Sequence, residues 1–142
     1  MAAEAPEPAA GSPARLLLEC VFGNSPYLSR LILRDTSYAV RLFEEGPDAL
    51  WQDIMAKVGS EVPRIATMSE LMTALRKAKE RAALVTAIAD ITNVWSVERV
   101  TGALSEFARL SVSLAASHLL RQRMISGDLA WPENTKMQLS LT

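Results

Sequence analysis

From Arg15 onward apolar residues recur at steps of three and four, and nowhere in a sustained strict alternation, so the pattern predicts helices throughout and no sheet. Arg15 to Phe22 reads as a short apolar helix broken at Gly23-Asn24, where a tight turn calls for positive φ at the glycine. Ser25-Pro26 then carries a compact start signal. The serine hydroxyl can accept from a first-turn N–H, and the proline's missing N–H costs nothing at the first helical position. Leu28, Leu31 and Ile32 share one face of this second helix, which ends at Arg34. Asp35 or Thr36 caps a third helix running through Phe43 to Gly46. Gly46-Pro47 opens a fourth from Asp48 to Val58, Gly59 is expected to stop it, and the stretch VPRIA reads as a linker.

The second half reads as two long helices. Thr67-Met68-Ser69-Glu70 has the capping-box form, and from there Leu71, Leu75, Ala78, Ala82, Val85 and Ala89 mark one face to be buried. Thr92-Asn93 interrupts the pattern, and Ser96 caps a helix predicted to reach about Ile125. Its apolar face is read as Val97, Val100, Leu104, Phe107, Ala108, Leu114, Ala115 and Leu119. Two such helices joined by a short turn should pack antiparallel. The expected fold is all-α: an irregular bundle of short N-terminal helices plus two long antiparallel ones, with no internal repeat. Residues 1–14, rich in Ala and Pro, are expected to form a disordered tail, 15–131 the helical domain and 132–142 an irregular tail.

Composition narrows the classes. A chain of 142 residues, 49% hydrophobic, suffices for one core. Its net charge of −1 offers no general attraction to nucleic acid or to anionic lipid. The N-terminus has no basic region of a secretory signal, and no apolar run approaches the roughly 18–20 residues that span a bilayer. The single cysteine, Cys20, excludes an internal disulfide and a thiolate zinc site and suits a reducing, cytoplasmic setting.

The chemistry expected of an enzyme is sparse. The six glycines lie too far apart for a phosphate-cradling loop, and the five aspartates include no i, i+2 pair to converge on Mg²⁺. His118 is the only histidine and has no Gly-x-Ser-x-Gly nucleophile to serve. No catalytic, cofactor-binding or metal-ligating residue is therefore assigned. His118, at the edge of the apolar stripe, could shuttle a proton or serve as a ligand, but a structural or partly exposed role fits a lone histidine better. The run Arg76-Lys77-Ala78-Lys79-Glu80-Arg81 could dock an acidic partner; its spread round the helix and its internal Glu80 favour a solvated face. Trp51, Trp95 and Trp131 could anchor an interface, with packing the preferred role.

Certain motifs do carry a resemblance. Phe22-Gly23-Asn24-Ser25-Pro26, then Ala89-Asp90-Ile91 with Val94-Trp95, Glu98, Val100-Thr101 and Leu104-Ser105, then the stretches HLLRQ and GDLAWPE, stand in an order and spacing similar to the N-terminal region of bacterial glutamine synthetase adenylyltransferases, the bifunctional adenylyl-removing enzymes. The match spans about residues 15–132. The resemblance implies regulation of nitrogen assimilation by two tandem nucleotidyltransferase units. One attaches AMP from ATP to a tyrosine of glutamine synthetase, and the N-terminal one removes it by phosphorolysis. It also implies Mg²⁺ and ATP as cofactors of the full enzyme, and glutamine synthetase and the PII signalling protein as partners. The family's Gly-rich strand and Ser-Asp-x-Asp metal motif have no matching positions here, because after Pro132 the chain reads ENTKMQLSLT. The expected function is that of a helical portion of such an enzyme, inactive by itself, with a downstream enzyme fragment as one candidate partner. A stand-alone helical interaction module is the alternative.

Overall fold

The computed structural model describes residues 11–128. Six helices follow in chain order: α1 (Pro13–Asn24), α2 (Pro26–Arg34), α3 (Thr36–Glu45), α4 (Pro47–Glu61), α5 (Met68–Ile91) and α6 (Val97–Ile125). A 3₁₀ turn, Val62–Arg64, joins α4 to α5. There is no strand among the described residues, so the chain is all-α, as the periodicity predicts. The terminal segments 1–10 and 129–142, Trp131 included, lie outside the described residues.

The helix starts follow from their capping residues. Ser12, Ser25, Asp35, Thr67 and Ser96 each accept, through a side-chain oxygen, a backbone N–H of the first turn. At Thr67 the hydroxyl accepts from the Glu70 N–H and donates to the Glu70 carboxylate at 2.8 Å. Gly46 closes α3 and opens α4 with φ +84°, a conformation that only glycine adopts without strain. Asn93, at φ +55°, makes the corresponding turn between α5 and α6.

Two other glycines depart from expectation. Gly23 is not a turn residue: α1 starts at Pro13 and continues through Gly23 to Asn24, and Gly23 has no positive φ. The corner is made instead at Ser25, whose N–H still bonds to the Val21 carbonyl, while the Asn24 side-chain amide donates to the Cys20 carbonyl. Gly59 does not stop α4, which runs on to Glu61, and the supposed linker begins with buried Val62 in the 3₁₀ turn. A helical glycine costs only about 1 kcal/mol, and burying Val58 and Val62 on either side of Gly59 outweighs it.

Helix α5 is the spine of the core. Leu71 and Val85 on α5 and Leu50 on α4 are almost wholly enclosed, and α2, α4 and α6 all pack on α5. At the α5–α6 corner Trp95 meets Trp51 edge-on, with ring centroids 5.8 Å apart, and Trp51 in turn meets Phe107 of α6. The Trp95 indole donates to the Asp48 carboxylate at 3.1 Å, tying the corner to the start of α4. At the far end of α6, Arg121 donates to the Pro63 carbonyl, so α6 runs back along α5 in the antiparallel sense predicted. Among the described residues no helix is long and apolar enough to cross a membrane.

Candidate functional site

Two surfaces concentrate the side chains that packing alone does not explain. The first is the seam where α2 and α3 meet α5. Asp35 caps α3 by accepting from the Tyr38 N–H and also receives the Arg81 guanidinium at 2.7 and 3.2 Å. Burial pushes the Asp35 carboxyl up, but the hydrogen bond and charge of Arg81 outweigh it and hold the group below its ordinary value. Arg81 also lies over the Tyr38 ring, 4.4 Å from its centroid. Next to this cluster Arg34 pairs with Glu80. Two open hollows flank Arg81, one reaching Arg34, Arg76 and Lys77, the other Asp53, Lys57 and Glu61.

The predicted basic run therefore divides. Arg76, Lys77 and Lys79 face solvent, whereas Glu80 and Arg81 are partly buried and clamp α5 to α2 and α3. The partners lie 46 residues apart, so no local signal in the chain could pair them. Tyr38 is 2% exposed and its hydroxyl has no hydrogen-bond partner; burial pushes its pKa up to about 12.

The second surface is the outside of α6. The apolar face expected there turns out to be two faces. Val100, Phe107 and Leu114 turn inward together with Ala103 and Leu110, whereas Val97, Leu104, Ala108 and Leu119 are exposed. Val112, 69% exposed, joins this outer set. At about 100° per residue, each set falls within roughly 80° of arc, and the two arcs lie about a third of a turn apart. The steps of three and four that mark one face thus served two, and adding both into one stripe hid the outer one.

Three of the remaining candidates, Trp51, Trp95 and His118, are buried. Trp51 and Trp95 are buried in the aromatic contact described above, as preferred from the sequence. His118 is more enclosed than its position at a stripe edge suggests, at 7% exposed on the inner side of α6, and its Nε2 has no hydrogen-bond partner. Cys20 is exposed.

Mg²⁺ would need converging oxygen ligands, and the carboxylates of the described residues form no such set. Asp35 is held by Arg81, Asp48 by Trp95 and Arg99, Asp53 by Lys57 and Arg41, and Asp128 by Arg123 and Ser126. Among the described residues no group of three or more His, Cys, Asp or Glu could hold a metal ion. The two surfaces are a mixed-charge seam and an apolar helix face.

Comparison with known proteins places the chain. The family described as glutamate-ammonia ligase adenylyltransferase matches residues 16–140. The bifunctional glutamine synthetase adenylyltransferase/adenylyl-removing enzyme of Bradyrhizobium sp. (strain ORS 278) is 38% identical over 117 residues, 82% of this chain and 12% of that protein. The enzyme of the same name from Caulobacter vibrioides (strain ATCC 19089 / CIP 103742 / CB 15) is 33% identical over 112 residues, 77% of this chain and 11% of that protein. The chain thus spans about an eighth of the length of these relatives. No solved structure matches it. With the family match running from within α1 through α6, this chain belongs to the glutamate-ammonia ligase adenylyltransferase family and corresponds to its N-terminal region.

Proposed function

We propose that this chain is the helical N-terminal portion of a cytoplasmic glutamine synthetase adenylyltransferase/adenylyl-removing enzyme, a scaffold that does not turn over substrate by itself. In this reading 15–131 is the scaffold domain, with 1–14 and 132–142 as its tails. AMP transfer from ATP to glutamine synthetase, and its phosphorolytic removal, belong to Mg²⁺-dependent units downstream, and the PII protein regulates them. The observation that carries the reading is the 38% identity over 82% of this chain to a protein of which it spans only 12%. The carboxylates engaged in cap and ion-pair contacts agree with a structural rather than a metal-binding role.

Two measurements test it. The pure chain, given ATP, Mg²⁺ and glutamine synthetase, should transfer no AMP; sustained turnover would overturn the proposal. Substituted for the matching region of the Bradyrhizobium sp. (strain ORS 278) enzyme, the chain should support both AMP transfer and removal. Loss of both in a soluble, folded chimera would count equally against it.

The exposed outer face of α6 also favours a second reading, a stand-alone helical module that binds glutamine synthetase, PII or the remaining enzyme fragment. Calorimetric titration of the chain with each of these tests it, and no heat of binding to any of them would remove it.

A further inference from the structure

Near the end of α6, large apolar side chains stand in water. Leu119, Leu120 and Ile125 are 49%, 51% and 81% exposed, and at about 100° per residue they point in three directions round the helix. Ile125 continues the inner arc of Phe107 and Leu114, but at this end of α6 nothing in the bundle covers it. The outer stripe of Val97, Leu104 and Val112 leads into the same end. Between Leu110 and Leu120 the sequence LSVSLAASHLL carries no Asp, Glu, Lys or Arg, the depletion of charge found in the buried centre of protein interfaces. A helix with a second exposed apolar arc calls for a second neighbour to cover it.

We propose that the outer face and C-terminal end of α6 seat the catalytic portion that accompanies this region in the adenylyltransferase relatives, an inference that rests on the scaffold reading above. Two observations select this occupant over a second copy of the chain. The relatives extend to about eight times the length matched here, so a large body is joined to this bundle in them. The family match also runs on past Ile125 to residue 140, so sequence shared with the family continues beyond this end of α6. A second copy packing helix against helix would cover the outer stripe and leave Leu120 or Ile125 in water. A body surrounding the end of the helix covers all three.

The test compares cysteine accessibility in the chain and in the chimera with the Bradyrhizobium enzyme. In a Cys20→Ser background, with the enzyme's own accessible cysteines replaced, Val112→Cys, Leu119→Cys and, as a control on α4, Glu61→Cys are labelled with a maleimide. All three should react readily in the isolated chain. In the chimera the first two should slow at least tenfold, and the Glu61→Cys control should not. Equal labelling of Val112→Cys and Leu119→Cys in chain and chimera would overturn the proposal. So would labelling of the isolated chain that slows with rising protein concentration, since a second copy would then be the occupant. The scaffold reading is judged separately, by AMP transfer and removal in the chimera carrying only Cys20→Ser. An active chimera with unprotected α6 refutes the docking alone, and an inactive chimera with protected α6 refutes the scaffold reading alone.

Discussion

Helices α5 and α6 are sequence neighbours joined by a tight corner and packed antiparallel, yet they are built for different surroundings. Over 24 residues α5 buries Leu71, Ala82, Leu84, Val85, Thr86, Ile88 and Ala89; over 29 residues α6 buries only Ala103, Phe107 and His118. The difference is not in apolar content. Helix α5 has α2 and α4 on its other sides, so its apolar residues beyond one narrow stripe still find partners. Helix α6 leans on the bundle with one arc and presents a second to solvent. A helix that is apolar on one arc needs one neighbour, and a helix apolar on two needs two. In α6 the outer arc has no neighbour among the described residues.

The comparison can be broken most directly at the Trp51–Phe107 contact that holds α6 on the bundle. Phe107→Ala should cost about 3–5 kcal/mol in urea denaturation, whereas Leu104→Ala one turn earlier should change stability by less than about 0.5 kcal/mol. Similar losses for the pair would mean that α6 is covered on both arcs. Leu84→Ala, at a site 2% exposed on α5, should cost about 2–5 kcal/mol, against less than about 0.5 for Val112→Ala on the outer arc.

Smaller effects sharpen how α5 is held. Asp35 has its carboxyl below the ordinary value of 3.8, so its contribution is present above that pH and is lost as pH falls through the lower folded-state value. Asp35→Asn keeps a residue able to cap α3 and should lower stability by about 1 kcal/mol at pH 7, with the difference from the parent vanishing in strong acid. A stability difference that persists unchanged at pH 2 would point to the cap rather than the Arg81 pair.

Tyr38 works in the opposite direction. Its unfolded-state hydroxyl ionises near 10 and its folded-state one near 12, so folding loses stability as pH rises across that interval. Tyr38→Phe should remove this alkaline loss and, by deleting an unpartnered buried hydroxyl, raise stability by up to about 1 kcal/mol at pH 7. A fall in melting temperature instead would reveal a bond made by that hydroxyl. The smallest change lies outside both long helices. Gly23→Ala, inside α1 with nothing within 4 Å of an added Cβ, should stabilise by about 0.5–1 kcal/mol, where a turn glycine with positive φ would make it destabilising.

Much of this was legible in the chain because it depends on short-range chemistry. The caps at Ser25, Thr67 and Ser96, the turn at Gly46-Pro47 and the corner at Thr92-Asn93 all act within one or two helical turns. The two misread glycines mark where local reading fails. A glycine's preference for turns is worth about 1 kcal/mol, and the apolar residues around Gly23 and Gly59 decide the matter by burial: Val21 before the first, Val58 and Val62 about the second. The resemblance was legible for a different reason, since spaced motifs persist in a family whether or not their roles are understood.

The sequence by itself determined that this protein is helical, where its long helices begin, and to which family it belongs. Tertiary structure alone decided which apolar residues are core. Periodicity reports that a side chain lies on some face of a helix, and only the placement of neighbouring helices determines whether that face meets protein or water. The same holds for charge: Asp35 and Arg81 become partners because α3 and α5 are brought together, across a separation in sequence at which no pattern connects them.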